Sequence, residues 1–359
     1  MNDLGTLLAD SARRVFEDHC DRATKESAEK GAWPAQLWGQ VTDAGFTAAI
    51  TPESAGGLGA TMAEGMTVLR AAGAAAAPIP LAETMLAGWL LASAGLEVPD
   101  GPLSVAPVRL DATLKLARAG QGWHLSGVAR RIPWASMVGH LAVLVEYDKI
   151  WYVARVSTAD CRVDGEQNVA FEPRDSVGFD CALASDAVGP AQAGFGMPQL
   201  LAFGAAMRTA QIAGAMDQVL RMTVQYALER IQFGRPIGKF QIIQQYLAVM
   251  AGQTAAAGAA ADLATWAVQH DFSLFAIAAA KARAGEAASA AATIAHQVHG
   301  AIGITHEHTL HFLTRRLWSW RDEFGSESYW CKVIGEELCR IGADDMWEFL
   351  TDAAEASKE

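Results

Sequence analysis

Two long stretches with helical periodicity meet at a sharp break between Tyr226 and Ala251, and this segment constrains the fold more than any other. Apolar residues recur at helical spacing before and after the break, which predicts two long helices joined by a Gly-Arg-Pro turn. Three cationic and two amide side chains surround the turn: Arg230, Arg235, Lys239, Gln232 and Gln241. Because a guanidinium offers a planar fork of donors and a helix start offers free N–H groups, the turn suits an anionic ligand.

The composition limits the kind of protein that this can be. The chain has 359 residues, 51% of them hydrophobic, which is enough for two or three structural domains around a large core. A net charge of −12 argues against nucleic acid as the main partner, although a local cluster of cations can still bind an anionic cofactor. The scattered cysteines and the lack of an N-terminal leader lead us to expect free thiols and a cytoplasmic protein. Gly, Pro or charge interrupts the Ala-rich apolar runs, so we expect no membrane span.

The predicted elements follow the order helices, strands, helices. Helical periodicity over 1–100 predicts an N-terminal helical domain. Short β-prone runs separated by Gly, Asp and Pro predict a small all-β domain over 101–190, with the edge of a hairpin at Gly122 to Gly127. Helical periodicity returns over 191–359 and predicts a C-terminal bundle, including an Ala-rich helix over about 272–298 that Gly300 should end.

These motifs and their order resemble the acyl-CoA dehydrogenase family over essentially the whole chain. The run from Arg230 to Gln241 is similar to the family's Arg-x-Gln-Phe-Gly signature, which contacts the pyrophosphate and adenine end of an FAD in an adjacent subunit. A second family element, a Gln followed by two small residues, matches the stretch from Gln297 to Ala301, with Ala301 in place of the usual second Gly. The resemblance thus assigns the following residues to FAD: Arg230, Gln232, Phe233, Gln241, Gln297, Gly300 and Ala301.

The resemblance also implies a fold and a reaction. The fold is mainly α with a central β domain: an N-terminal helical domain, a β-barrel-like middle domain and a C-terminal helical bundle that carries the FAD and oligomer motifs. The reaction is the FAD-dependent α,β-desaturation of an acyl-CoA thioester in fatty acid or steroid catabolism. The expected assembly is a tetramer, and the expected electron acceptor is electron-transfer flavoprotein.

Four histidines near the second element raise the possibility of a metal site: His299, His306, His308 and His311. No Cys or Asp completes a tetrahedral set beside them, and the family that the chain resembles has no metal. We therefore expect no metal, and we expect His308 and His311 to pack on a helix face or to pair with carboxylates.

The catalytic base departs from the family's pattern. Removal of a weakly acidic α-proton needs a carboxylate whose pKa is raised in an apolar pocket. Most members of the family carry it in a Glu-Gly-Thr motif, where this chain has Phe324 to Ser326, and others carry it at a position that corresponds to Gly204. Glu323 is the best remaining candidate for the base, and Asp322 and Glu327 are weaker ones. The alternative, which we favour, is that all three are surface charges in a turn.

A second departure lies in the β domain. Active members of the family carry a Thr-Glu-Pro-x-Ala-Gly-Ser-Asp loop against the flavin ring, where this chain has Arg109 to Thr113. We therefore expect the smaller, base-lacking subunit of an αβ-type heterotetramer, paired with a longer homologue. Some bacterial members that act on steroid side chains or dicarboxylic acyl chains are built in this way. Two alternatives stay open: a self-sufficient homotetramer with Glu323 as the base, and a non-enzymatic helical scaffold that keeps the family's oligomer interface.

Overall fold

The chain folds in the order helices, strands, helices that its sequence predicts. The structure is a computed structural model and describes residues 3–270 and 272–355. Its elements confirm the predicted fold class, mainly α with a central β domain. Among the described residues, no helix is both long enough and apolar enough to cross a lipid bilayer.

Local signals in the sequence explain where the N-terminal helices begin. The side-chain oxygen of Thr61 accepts from the N–H of Glu64, whose carboxylate accepts from the N–H of Thr61, and this reciprocal cap begins α4. Pro80 precedes α5, where a residue without an N–H group is tolerated. The helices of this domain are α1 (Asp3–His19), α2 (Arg22–Glu29), α3 (Ala35–Asp43), α4 (Met62–Ala75) and α5 (Leu81–Ser93).

The described part of the β domain consists of two four-stranded sheets that pack against each other, in the orders β1-β4-β5-β8 and β2-β3-β7-β6. The predicted hairpin edge at Gly122 is confirmed, since β2 pairs with β3 antiparallel there. In contrast, β1 pairs with β4 in parallel, with Leu103 opposite His140. The strands are β1 (Leu103–Ala106), β2 (Lys115–Ala119), β3 (Gly122–Pro133), β4 (His140–Tyr147), β5 (Ile150–Ser157), β6 (Arg162–Asp164), β7 (Arg174–Leu183) and β8 (Val188–Pro190).

Small residues let the helices of the C-terminal bundle approach closely. A Cβ atom added at Gly214 of α6 would lie 1.9 Å from the carbonyl oxygen of Arg70 in α4, so the N-terminal and C-terminal helical domains meet through this glycine. The alanines of α8 fill the centre of the bundle with little side-chain volume. The elements are α6 (Met197–Glu229), β9 (Ile231–Gln232), β10 (Arg235–Pro236), α7 (Gln241–Gln269), α8 (Leu274–His299), α9 (Leu310–Asp322), α10 (Glu327–Ile341) and α11 (Met346–Glu355).

The predicted domain bounds can be compared with the points at which the elements change. Helix gives way to strand between Ser93 and Leu103, and strand gives way to helix between Pro190 and Met197. The bounds at 100 and 190 stay predictions.

Candidate functional site

The predicted turn after the first long helix is a short β-hairpin. Helix α6 ends at Glu229, and β9 and β10 pair so that Gln232 lies opposite Arg235. Phe233 and Gly234 form the tip with φ values of 51° and 76°, and the Phe233 side chain is 93% exposed. Leu228 and Ile231 are also more than half exposed, so the hairpin carries a group of exposed apolar side chains, which is typical of an interaction site.

The residues predicted to contact FAD in this segment all face solvent. Arg230, Gln232 and Gln241 are exposed, the last at the first position of α7. Arg230 forms no ion pair with any residue between 3 and 270 or between 272 and 355. Its guanidinium is therefore available to a group from outside the chain.

Packing brings the second predicted motif beside the hairpin. The ring of Tyr226, in the last turn of α6, stacks on the ring of His299 at the end of α8, with centroids 4.5 Å apart and planes 22° apart. A small apolar cluster that includes Ile237 and Val298 joins the same two ends. The remaining predicted contacts are exposed at the end of α8: Gln297, Gly300 and Ala301. The structure therefore places the two motifs next to each other.

The histidines beside these motifs are held by backbone atoms. His299 donates from Nδ1 to the carbonyl oxygen of Ala295 (2.8 Å), and His311 donates from Nδ1 to that of His308 (2.7 Å). Burial lowers the pKa of both His299 and His311 to about 4, so both rings are neutral at pH 7. In the described part of the chain, no group of His, Cys, Asp and Glu side chains is arranged to hold a metal ion. His311 packs against Phe312 rather than against a carboxylate.

A cavity of about 760 Å³, here called cavity II, opens beside the second motif. Gln297 and Gly300 line it together with His296 of α8 and with Thr314 and Trp318 of α9. Neither His296 nor Trp318 was among the predicted site residues. The spacing of four residues that places Trp318 on the same helical face as Thr314 could have indicated Trp318.

A second cavity of about 630 Å³, here called cavity I, lies between the β domain and the C-terminal bundle. The segment from Val108 to Asp111, Arg131 of β3 and Leu201 of α6 line it, as do Phe324 and the neighbouring turn after α9. Both departures from the family pattern, the segment around Arg109 and the segment around Phe324, therefore line one cavity.

Phe324 and Gly204 are in direct contact. A Cβ atom added at Gly204 would lie 2.1 Å from Cδ1 of the Phe324 ring, so the ring fills the space that a side chain at 204 would occupy. Phe324 is 5% exposed and has φ of 52°, an unusual conformation for a residue other than glycine. The two positions that the resemblance assigns to the base thus meet at one point, and an apolar ring occupies it.

Buried donors hold the turn that carries Phe324. The ammonium of Lys281 donates to the carbonyl oxygens of Arg321 (2.6 Å) and Gly325 (3.1 Å), and the indole of Trp330 donates to that of Phe324 (3.1 Å). Lys281 is 1% exposed, and burial lowers its pKa to about 7. The turn is therefore a fixed part of the cavity wall.

Glu323 is a partner in buried ion pairs. Arg174 donates from Nε to Oε1 (2.7 Å) and from Nη2 to Oε2 (3.0 Å), and Arg208 donates from Nε to Oε2 (2.8 Å). The amide of Asn168 donates to Oε1 (3.2 Å). Burial would raise the pKa of the Glu323 carboxyl, but the two guanidinium groups outweigh it and lower the pKa to about 2.

The ion pairs of Glu323 continue into all three parts of the chain. Arg208 also pairs with Glu83 of the N-terminal domain, and Arg174 pairs with Glu172 (2.9 Å). Glu172 in turn pairs with Arg316 of α9 (2.9 Å). The expectation of a surface charge is wrong for Glu323, because its side chain is 15% exposed and arginines from two other elements enclose it. Asp322 does face solvent, with 59% of its side chain exposed.

Comparison with known families covers most of the chain. The model of the acyl-CoA dehydrogenase N-terminal domain matches residues 4–98, and that of the acyl-CoA dehydrogenase C-terminal domain matches residues 195–339. A Mycolicibacterium smegmatis protein named acyl-CoA dehydrogenase IpdE2 is 30% identical over 331 residues, which cover 88% of this chain and 93% of that protein. The chain belongs to the acyl-CoA dehydrogenase family. Membership makes it an oxidoreductase of the acyl-CoA dehydrogenase type, as its motifs predicted.

Other acyl-CoA dehydrogenases are similar over nearly the whole chain. A Mycobacterium tuberculosis protein named acyl-CoA dehydrogenase FadE27 is 31% identical in an alignment that covers 95% of this chain and 97% of that protein. The ChsE4-ChsE5 complex of Mycobacterium tuberculosis contains a chain with a TM-score of 0.84 at 24% identity, covering 96% of this chain and 99% of that one. Butyryl-CoA dehydrogenase of Megasphaera elsdenii has a TM-score of 0.85 at 20% identity, covering 94% and 99%. These two structures confirm the acyl-CoA dehydrogenase fold.

Proposed function

We propose that this chain is the base-lacking subunit of an FAD-dependent acyl-CoA dehydrogenase and that it contributes contacts to the FAD of a longer homologue. The observation that supports this most is the contact between Phe324 and Gly204. A carboxylate at either position would reach the same part of cavity I, and this chain has a phenyl ring there. The α-proton of an acyl-CoA substrate has to be removed by a carboxylate from another chain.

Glu323 is poorly suited to replace the missing base. A general base needs a free lone pair directed at the substrate and a pKa near the working pH. Four donor contacts from Arg174, Arg208 and Asn168 occupy the carboxylate of Glu323, and its pKa of about 2 leaves little driving force for taking a proton from carbon. We propose that Glu323 instead joins the β domain to α6 and α9.

The residues of this chain fit the adenosine diphosphate half of FAD. Arg230, which forms no ion pair with any described residue, and Gln232 are exposed at the hairpin next to the second motif, which suits the negative charge of a pyrophosphate. FAD supplies the hydride-accepting chemistry of this family when it is bound, and this chain would bind and orient one end of it. Cavity I of this chain is less suited to a flavin ring than the corresponding site of active members, because Arg109 pairs there with Asp111 (3.2 Å) in place of the family's Thr-Glu-Pro-x-Ala-Gly-Ser-Asp loop.

The names of similar proteins support a heteromeric assembly and a large acyl group. One solved relative is a complex of two different chains, ChsE4 and ChsE5, and another is described as a steroid acyl-CoA dehydrogenase, Tcur3481-Tcur3483. We propose an αβ-type heterotetramer that works in the cytoplasm, with electron-transfer flavoprotein as its electron acceptor. A steroid side chain or a fatty acyl chain would be the substrate.

Replacement of Arg230 by alanine tests the contact with FAD. We expect Arg230→Ala to weaken FAD binding by the assembly about 10–100-fold, since a charge-assisted hydrogen bond contributes about 1.5–3 kcal/mol. Arg221→Ala is the matched control, because Arg221 is an exposed arginine of α6, the helix that ends just before Arg230, and precedes the hairpin by more than two helical turns. The measurement is the dissociation constant of FAD, from the change in flavin fluorescence on binding. Equal FAD affinity in the two variants would contradict the proposed contact.

A further inference from the structure

Trp318 and His296 form a pair of parallel rings in the wall of cavity II. Their centroids are 5.7 Å apart and their planes 18° apart, and 37% of Trp318 remains exposed. The two residues come from different helices, α9 and α8, so the pair depends on the packing of the bundle. Parallel aromatic rings that remain partly exposed can accept a further planar group in the same stack.

The ring pair is fixed in place and uncharged. Nε2 of His296 lies 2.9 Å from the hydroxyl oxygen of Thr314, which holds the imidazole against α9. Burial, with a smaller contribution from His308, lowers the pKa of His296, so the imidazole is neutral at pH 7. The ring pair therefore presents no charge to a planar group that stacks on it.

The charges around cavity II favour a planar, uncharged group inside it and phosphates outside it. Arg315 lines the cavity, but its guanidinium pairs with Glu29 (2.7 Å) and lies over the ring of Phe171, with its side chain only 16% exposed. Arg230, beside the neighbouring hairpin, forms no ion pair with any described residue, so its guanidinium is available to a phosphate. A nucleotide can therefore place its base in the cavity and its phosphates at the hairpin.

We propose that the Trp318–His296 ring pair is the surface on which the adenine of a partner-held FAD stacks. This inference rests on the proposed function and assigns a positioning role to two residues outside the family motifs. The neighbouring Gln297 and Gly300, which belong to a motif, line the same cavity and are in reach of the same ligand.

The test uses the assembly that contains this chain, stripped of flavin, with FAD binding followed by flavin fluorescence. We expect Trp318→Leu, which keeps apolar volume and removes the ring, to raise the dissociation constant of FAD about tenfold. Trp318→Phe, which keeps a ring, should stay within about threefold of the unmodified assembly. ADP and pyrophosphate serve as competitors against FAD. Trp318→Leu should raise the inhibition constant of ADP by the same factor as the dissociation constant of FAD. It should leave the inhibition constant of pyrophosphate unchanged.

Several results would overturn the inference. Failure of ADP to displace FAD from the unmodified assembly would place the adenine elsewhere. Equal FAD affinity in the leucine and phenylalanine variants would show that no ring is needed. A parallel loss of pyrophosphate affinity in Trp318→Leu would indicate a general disturbance of the site. Weaker FAD binding in Arg230→Ala but not in Trp318→Leu would leave the proposed function standing and remove only the stacking surface.

Discussion

Replacement of Glu323 by glutamine separates a structural role of this carboxylate from a catalytic one. The change keeps the size of the side chain and removes the negative charge between Arg174 and Arg208, both of which are 2% exposed. Two guanidinium groups would then share the remaining partners Glu83 and Glu172. We expect Glu323→Gln to destabilise the fold and to leave the chemistry of the assembly intact.

The magnitude follows from the pKa of Glu323. A decrease from 4.5 to about 2 corresponds to about 3 kcal/mol of stability at pH 7. The loss of one partner from a buried ion pair gives a similar value, about 3–5 kcal/mol. Because the pKa is lower in the folded state, this stability is present above pH 4.5 and is lost as the pH falls toward 2. The difference between the unmodified chain and the variant should therefore shrink over the same range.

The assay is urea unfolding at pH 7 and at a series of lower pH values, followed by tryptophan fluorescence. Asp322→Asn is the matched control, since it removes the same charge from the neighbouring residue. The Asp322 side chain is 59% exposed, and its ion pair within the described part of the chain is with the partly exposed Arg321 at 3.2 Å, so we expect a change below about 1 kcal/mol. Turnover is measured per bound FAD, so that loss of folded protein does not count as loss of chemistry.

Two results would refute this reasoning. Stability of Glu323→Gln equal to that of the Asp322→Asn control would show that the buried ion pairs contribute little. A loss of turnover per bound FAD of about 10²–10⁴-fold would identify Glu323 as the base and favour the homotetrameric enzyme.

Further variants test the packing around the Phe324 turn. Gly204→Ala should destabilise the fold by about 1–3 kcal/mol, because the added methyl group would overlap the Phe324 ring, and the double variant Gly204→Ala/Phe324→Ala should recover part of this loss. An unchanged melting temperature in Gly204→Ala would contradict the contact. The folded chain gives up the Lys281 proton near pH 7 and the unfolded chain holds it to about pH 10.5, so the free energy of unfolding should rise with pH over this range, and Lys281→Met should remove the rise. Equal slopes of unfolding free energy against pH in the unmodified chain and the variant would show that the amine is not desolvated.

Local patterns in the sequence account for much of the fold. The Ala-rich helix predicted over about 272–298 spans Leu274–His299, because helical periodicity and the following Gly300 define it within a few residues. The hairpin edge at Gly122 follows from turn residues between β-prone runs. The short strands β6 and β8 could not be predicted, since three residues show no periodicity and pairing with another strand defines them.

The candidate site could be predicted only in part. The residues near Arg230 and Gln297 stand in recognisable motifs, although their roles stay predictions. The contact between Phe324 and Gly204 depends on how α6 packs on the turn after α9, and no local pattern contains that information. The burial of Glu323 has the same cause, because its partners Arg174 and Arg208 come from other elements. Charged residues in turns are usually exposed, so the sequence alone favoured the wrong environment for Glu323.

The most direct test of the central claim is a flavin count on the purified chain, alone and after co-expression with a longer homologue that carries the Glu of the Glu-Gly-Thr motif. Each sample is mixed without oxygen with an acyl-CoA, and bleaching of the flavin absorbance reports its reduction. We expect one FAD for every two chains in the co-expressed assembly, with bleaching that is lost when the homologue's Glu is replaced by Gln. One FAD for each chain in the sample of this protein alone, bleached by acyl-CoA, would contradict it.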